Sequence, residues 1–145
     1  MSPIYIVVLL SLLASVALMI NRSRQRRFAE SAEGQKSALD NAERAKSMLR
    51  DGEQLVVADS IPNRNDFVLL TDRRFYYQNH KGKVFEADYA RIDKLKLADM
   101  TGSKVKDPSR AAQAKIKFTS GEKCTLYYSF PRFGEIASEL ARRAG

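Results

Sequence analysis

The sequence predicts a β-dominated α+β domain behind an apolar N-terminal anchor and a helical linker. Three observations carry that reading. Residues Ile4 to Ile20 contain no charged side chain. From Glu53 the apolar residues recur at every second position in short runs separated by turn-forming residues, the period of antiparallel strands. At the C-terminus Phe133, Ile136, Ala137, Leu140 and Ala141 fall at i, i+3, i+4, i+7 and i+8, the core-facing stripe of a helix.

The chain has 145 residues, enough for one ordinary domain plus an appendage but not for a multidomain enzyme. Its single cysteine, Cys124, excludes an intramolecular disulfide and a cysteine-based zinc cluster. Lys plus Arg number 25 against 17 Asp plus Glu, a net charge of +8 that points to an anionic partner, either nucleic acid or a membrane surface.

The Ile4–Ile20 run would span ~25 Å as a helix, close to the ~30 Å hydrocarbon core. Met1–Pro3 and snorkelling arginines bring it to spanning length. A cleavable signal peptide is disfavoured. No Lys or Arg precedes the run, and its small-residue site, Ala14-Ser15-Val16-Ala17, lies inside it. Arg22, Arg24, Arg26 and Arg27 follow immediately and hold that flank in the cytoplasm. The expectation is a single-pass anchor over residues 1–21 in the cell (inner) membrane, N-terminus outside and C-terminal bulk cytoplasmic, where a lone thiol stays reduced. Ser11 and Ser15 have the spacing that lets two spanning helices approach.

Residues 22–51 read as a basic juxtamembrane segment and helical linker. Gly34 is expected to interrupt any helix begun near Phe28, with a new helix starting at the capping-box-like Ser37-Ala38-Leu39-Asp40. Leu39, Ala42, Ala45, Met48 and Leu49 give it only a thin apolar stripe, so it is expected to be a solvated spacer ended by Gly52.

Residues 52–145 form the domain. Strands are expected over Gln54–Ser60, Phe67–Leu70, Phe75–Gln78 and Val84–Tyr89, then through Ile92, Leu95 and Leu97. Asn79-His80-Lys81-Gly82 marks a hairpin turn. Asp99 to Arg110 lacks periodicity and reads as a mobile basic loop. Ala114–Thr119 alternates, with Lys115 and Lys117 opposite Ile116 and Phe118. After the turn at Ser120–Lys123, Cys124, Leu126, Tyr128 and Phe130 return facing inward. Pro131 suits the first turn of the closing helix.

Within this layout, Leu69-Leu70-Thr71-Asp72-Arg73-Arg74-Phe75, followed after a hairpin by Tyr89-Ala90-Arg91-Ile92-Asp93-Lys94-Leu95, resembles the bacterial PH-like (pleckstrin-homology-like) domain. Gly52-Glu53-Gln54-Leu55 resembles that family's usual start. The resemblance covers about residues 51–143. It implies a half-open antiparallel barrel of two packed sheets plugged by the C-terminal helix. In the Thr71–Arg74 element, Leu69 and Thr71 are expected to face the core, Asp72 to cap the turn, and Arg73 or Arg74 to pair with acidic neighbours. The chain lacks the clustered basic residues with which phosphoinositide-binding PH domains line their first hairpin, since only Arg64 stands there.

No catalytic constellation is present. His80, the one imidazole, sits at a turn tip, and Cys124 reads as a buried hydrophobe. The expectation is a non-enzymatic module without cofactor or metal. From Gly52 onward 17 basic face 12 acidic residues, a surplus of five without an RNA-binding motif, so no nucleic acid is expected. The leading reading is a membrane-anchored cytoplasmic module that binds a protein partner or itself. The alternatives are a peripheral sensor of anionic lipid headgroups and an accessory subunit of a larger membrane complex. Lys104, Lys106, Arg110, Lys115, Lys117 and Lys123 are the candidate contacts to anionic lipid or partner.

Overall fold

The structure, a computed structural model, describes residues 2–144. Helix α1 (Pro3–Glu30) opens with proline at its first position, where the missing N–H is no loss. Its stretch Pro3–Phe28 is long and apolar enough to cross a membrane. Most of that surface is bare, with Ile4 and Met19 about 70% exposed (72% and 69%). One stripe, Ala14, Ala17, Leu18, Asn21, Gln25 and Phe28, is half-buried. Its positions share one helix face. On that face Asn21 Nδ2 donates to the Tyr128 carbonyl at 3.1 Å, and Gln25 Nε2 donates to the carbonyls of Tyr128 and Phe130.

The helix break falls at Ser31, not at Gly34. Ser31 is extended, and its Oγ accepts from the Gly34 N–H at 3.0 Å, so it caps α2 (Ala32–Met48). Gly34 is buried inside that helix and Ser37 starts nothing. Nor is α2 a solvated spacer. Gly34, Ser37 and Asn41 are covered along with the expected Ala42, Ala45, Met48 and Leu49, whereas the expected Leu39 points outward at 67% exposure. Small side chains at these positions let the helix lie close on a sheet whose Ala58, Phe67 and Leu69 supply the apolar bulk. The Arg44 guanidinium stacks 4.0 Å above the Phe67 ring.

Strands β1 (Leu55–Ser60), β2 (Phe67–Thr71), β3 (Arg74–Gln78) and β4 (Val84–Asp88) form one antiparallel sheet in sequential order. A 3-10 turn at Tyr89–Arg91 leads to a second antiparallel sheet of β5 (Ile92–Ala98), β6 (Gln113–Phe118) and β7 (Lys123–Tyr127). Helix α3 (Phe133–Ala144) follows. The two sheets pack face to face without joining into a closed barrel, the PH-like arrangement. Val68, Leu70, Phe75, Tyr77, Phe85, Ile116, Phe118 and Leu126 fill the space between them, and Phe133, Ile136, Ala137 and Leu140 of α3 fill the open end.

Every residue of β2 is buried because the strand lies between two cores. Val68 and Leu70 face the sheet-to-sheet interior, while Phe67 and Leu69 face α2. Leu69 therefore faces the helix rather than the barrel interior. Thr71, not Asp72, caps the Thr71–Arg74 turn: its Oγ1 accepts from the N–H groups of Arg73 (3.2 Å) and Arg74 (3.0 Å), whereas Asp72 Oδ1 accepts from Gln54 N–H at 2.8 Å ahead of β1. Arg74 is, as expected, a member that pairs with acids. Gly52 takes φ +76 beside the Arg73 guanidinium, a backbone conformation that a side chain would strain.

The Asp99–Arg110 segment is ordered rather than mobile. Asp99 Oδ1 accepts from the N–H groups of Thr101 (2.9 Å) and Ser103 (3.0 Å), and Val105 N–H bonds to Leu97 O at 3.0 Å. With the Ala98–Lys104 bridge, these bonds fold the segment back along the free edge of β5.

Asp59 of β1, 4% exposed, accepts from the Arg132 N–H at 2.7 Å and so caps α3 from another element. Burial dominates its ionisation and raises its pKa from 3.8 to about 6, against the bonds from Arg132 and Ser60. Between those values the folded chain retains a proton that the unfolded chain has released, so stability falls as pH rises from 3.8 to about 6. Asp59→Asn, which keeps the acceptor, is expected to stabilise the fold above pH 6 by up to about 3 kcal/mol. Thermal melts at pH 7.5 and pH 4 check this, with the gain vanishing at the lower pH.

Candidate anionic-surface interface

The outer face of the three-stranded sheet is built by alternation. In β6, Ala114, Ile116 and Phe118 turn inward, which sends Lys115 and Lys117 outward. In β5 an irregularity between Ile92 and Lys94 resets the phase, so that Lys94 and Lys96 join the same outer face. The register places Lys94 opposite Lys117, Lys96 opposite Lys115, and Lys117 opposite Lys123 of β7. Five lysines thus share one face with three directly opposed pairs. Thr125 opposes Lys115, and half-exposed Tyr127 opposes Gln113 at the end of the ladder.

Directly opposed like charges destabilise a sheet, because their Cβ atoms stand only ~5 Å apart. Among the described residues none of the five lysines forms an ion pair. Asp93, at the irregularity, is the one carboxylate in the three strands. Some cations elsewhere are neutralised: Arg64 is paired with Asp66 at 2.8 Å, and Arg142 and Arg143 with Glu139. The lysine face is therefore a concentrated, unneutralised positive surface that can accept a surface of anions.

The sequence-based candidates separate here. Lys115, Lys117 and Lys123 come together on the face, joined by Lys94 and Lys96. Those two were missed as candidates although their alternation with Leu95 and Leu97 was visible. Their phase relative to β6 depends on the irregularity at Asp93. Lys104, Lys106 and Arg110 are exposed in the β5–β6 connection, beyond the Ala98–Gln113 end of the sheet. Arg22, Arg24, Arg26 and Arg27 are exposed along α1, and Arg22 lines the clefts between α1 and the domain.

Among the described residues the reactive residue types are not gathered into a site. Burial, aided by the Glu122 charge, pushes the Cys124 thiol up to about 12 and removes thiolate chemistry at neutral pH. His80 is exposed in the β3–β4 turn. Among the described residues no group of three His, Cys, Asp or Glu side chains could hold a metal ion. Tyr77 is buried, its hydroxyl donating to Asp66 Oδ2 at 3.3 Å, while Tyr76 is half-buried against Phe67, so neither offers a free stacking face.

No family model matches the chain, and no curated protein matches it. Two solved structures are similar. One is a DUF1696-family protein with a pleckstrin-homology domain from Shewanella loihica, 18% identical, TM-score 0.49, covering 74% of this chain and 97% of that one. The other is a pleckstrin homology domain from Shewanella amazonensis, 20% identical, TM-score 0.49, covering 74% and 88%. By its own layout, a four-stranded and a three-stranded antiparallel sheet closed at one end by a C-terminal helix, the domain behind α1 has a PH-like fold.

Proposed function

We propose that the chain is a single-pass, non-enzymatic PH-like module, held by α1 at the cytoplasmic face of the cell membrane, whose lysine face engages the anionic lipid surface. The observation that carries this is the set of five unpaired lysines in register on one sheet face. A sheet retains three opposed like-charge pairs at a cost in stability when the face works against an anion. Each lysine near an anionic leaflet contributes about 1 kcal/mol, and a tether adds a high effective concentration without new contacts.

The test uses residues 31–145, which keep the Ser31 cap and α2. Co-sedimentation with vesicles containing phosphatidylglycerol is expected at low salt, to weaken steeply as salt rises, and to be absent with phosphatidylcholine alone. Equal binding to both vesicle types, or none to either, would refute the reading. A protein partner or a second copy remains the other reading. It is supported by β7, which carries half-exposed Tyr127 and has no strand on its outer side among the described residues.

A further inference from the structure

The hydrogen-bond phase of the β6–β7 hairpin decides which backbone groups of β7 are free. Phe118 N–H donates to Glu122 O at 2.9 Å, and Tyr128 N–H to Ala112 O at 3.1 Å. Between them Ile116 opposes Cys124 and Ala114 opposes Leu126, so Cys124 and Leu126 spend their backbone groups on β6. Lys123, Thr125 and Tyr127 alternate with them and point their N–H groups away from the sheet. Among the described residues nothing accepts from those N–H groups, and nothing donates to the carbonyls of Lys123 and Thr125. The opposite edge of the same sheet is covered, because Val105 N–H reaches Leu97 O of β5 at 3.0 Å. A cleft of about 340 Å³ follows the β7 edge. Lys123, Cys124 and Thr125 line it in succession, whereas one face of a strand would supply alternate residues only. Behind them stand Tyr77, Phe85 and Phe130. The Tyr77 hydroxyl is engaged by Asp66, as is Arg64, and Asn79 Oδ1 accepts from the N–H groups of Lys81 and Lys83. The two phenylalanines are therefore left as an apolar wall beside a row of free backbone groups.

We infer that the β7 edge takes up an extended segment of a partner protein as a fourth strand, with its apolar side chains in the cleft and acidic side chains on the lysine face. Lys123, Thr125 and Tyr127 supply the main-chain bonds. Side chains opposite Cys124 and Leu126 then enter the cleft, while those opposite Lys123 and Thr125 join the outer face of the sheet. That face fixes the charge. Lys123 stands opposite Lys117, and neither forms an ion pair among the described residues, so a carboxylate beside Lys123 meets an unneutralised cation. Two copies joined β7 to β7 would instead merge two lysine faces into one surface, which like-charge repulsion disfavours. Strand addition rests on the partner reading of β7 and not on lipid docking by the lysine face.

Fluorescence anisotropy with the full chain in non-ionic detergent tests this, using a labelled, end-capped peptide of alternating glutamate and valine as the probe. Saturable binding is expected, weakened about tenfold when lysine replaces glutamate in the peptide. Lys123→Glu should reverse that preference. N-methylation of alternate peptide amides should abolish binding in one phase and spare it in the other, because only every second amide of an added strand faces β7. This comparison leaves the protein unaltered. Thr125→Pro removes a donor that no native bond uses, and proline is tolerated where an edge N–H faces solvent. It should abolish peptide binding while thermal unfolding and docking on phosphatidylglycerol vesicles stay unchanged, which separates this site from the lipid reading. Absence of saturable binding, equal binding of the glutamate and lysine peptides, or equal effects of the two N-methylation phases would each overturn the assignment. A dimer in light scattering that Thr125→Pro dissociates would overturn it too, by giving the edge to a second copy.

Discussion

Replacing Lys94, Lys96, Lys115 and Lys117 together with glutamine is expected to weaken binding to phosphatidylglycerol vesicles about a thousandfold while making the domain more stable. At about 1 kcal/mol per lysine near an anionic surface, four substitutions remove about 4 kcal/mol of attraction. The same four changes relieve all three opposed pairs, Lys94/Lys117, Lys96/Lys115 and Lys117/Lys123. Each relieved pair returns a few tenths of a kcal/mol or more, so a gain of about 1 kcal/mol in unfolding free energy is expected. Vesicle co-sedimentation and urea denaturation of residues 31–145 read the two effects separately. Opposite signs identify a face kept for binding. Unchanged binding would show that the charges decorate the surface only.

The largest expected effect on stability belongs to Arg74. Its Nε lies 3.0 Å and 3.1 Å from the two carboxylate oxygens of Glu53, Nη1 lies 3.0 Å from Glu86, and Nη2 donates to Met48 O at 2.6 Å. The Arg74 and Glu53 side chains are 4% and 1% exposed. Burial opposes ionisation of Glu53, but the bonds from Arg74, Arg50 and Thr71 together with the Arg74 charge outweigh it and hold the carboxyl below its ordinary range. Arg74→Ala would strand a buried carboxylate and leave the last turn of α2 without its donor. The expected cost is about 3–5 kcal/mol, measured by denaturation. Lysine, with one ammonium in place of a fork, should recover only part of it. Glu53→Gln combined with Arg74→Met should cost clearly less than the sum of the single changes, because no unpaired charge then remains buried. Acidification acts on the two buried carboxylates in opposite directions. The stabilisation from Glu53 is lost as pH falls through its lowered folded value, whereas the burden of Asp59 lifts below about pH 6.

These two clusters differ in how far the sequence could be read. The Thr71–Arg74 element signals a tight turn with an acid-paired arginine, and alternation in β6 assigns Lys115 and Lys117 to the outside. Neither pattern names Glu53 as the partner of Arg74, 21 residues away, nor sets Lys94 opposite Lys117. Register across a long connection is decided by packing and by the irregularity at Asp93, not by local periodicity. The α2 stripe was legible only in part, for a related reason: Ala42, Ala45, Met48 and Leu49 are covered as expected, but Leu39 is not. Hydrophobicity favoured Leu39, but the helix approaches the sheet through its smallest residues, and the apolar bulk belongs to the strand beneath.

Local terms were enough for the sequence to determine an apolar helix of spanning length, short antiparallel strands and a closing amphipathic helix. They act within one or two turns or one hairpin. Tertiary structure alone decided what lies far apart in the chain and close in space: α2 on the outer face of β2, Asp59 at the head of α3, Glu53 locked to Arg74, and five lysines in register. Those placements depend on which surfaces exclude water together and on which buried polar groups find partners. Both are properties of the assembled core rather than of any one segment.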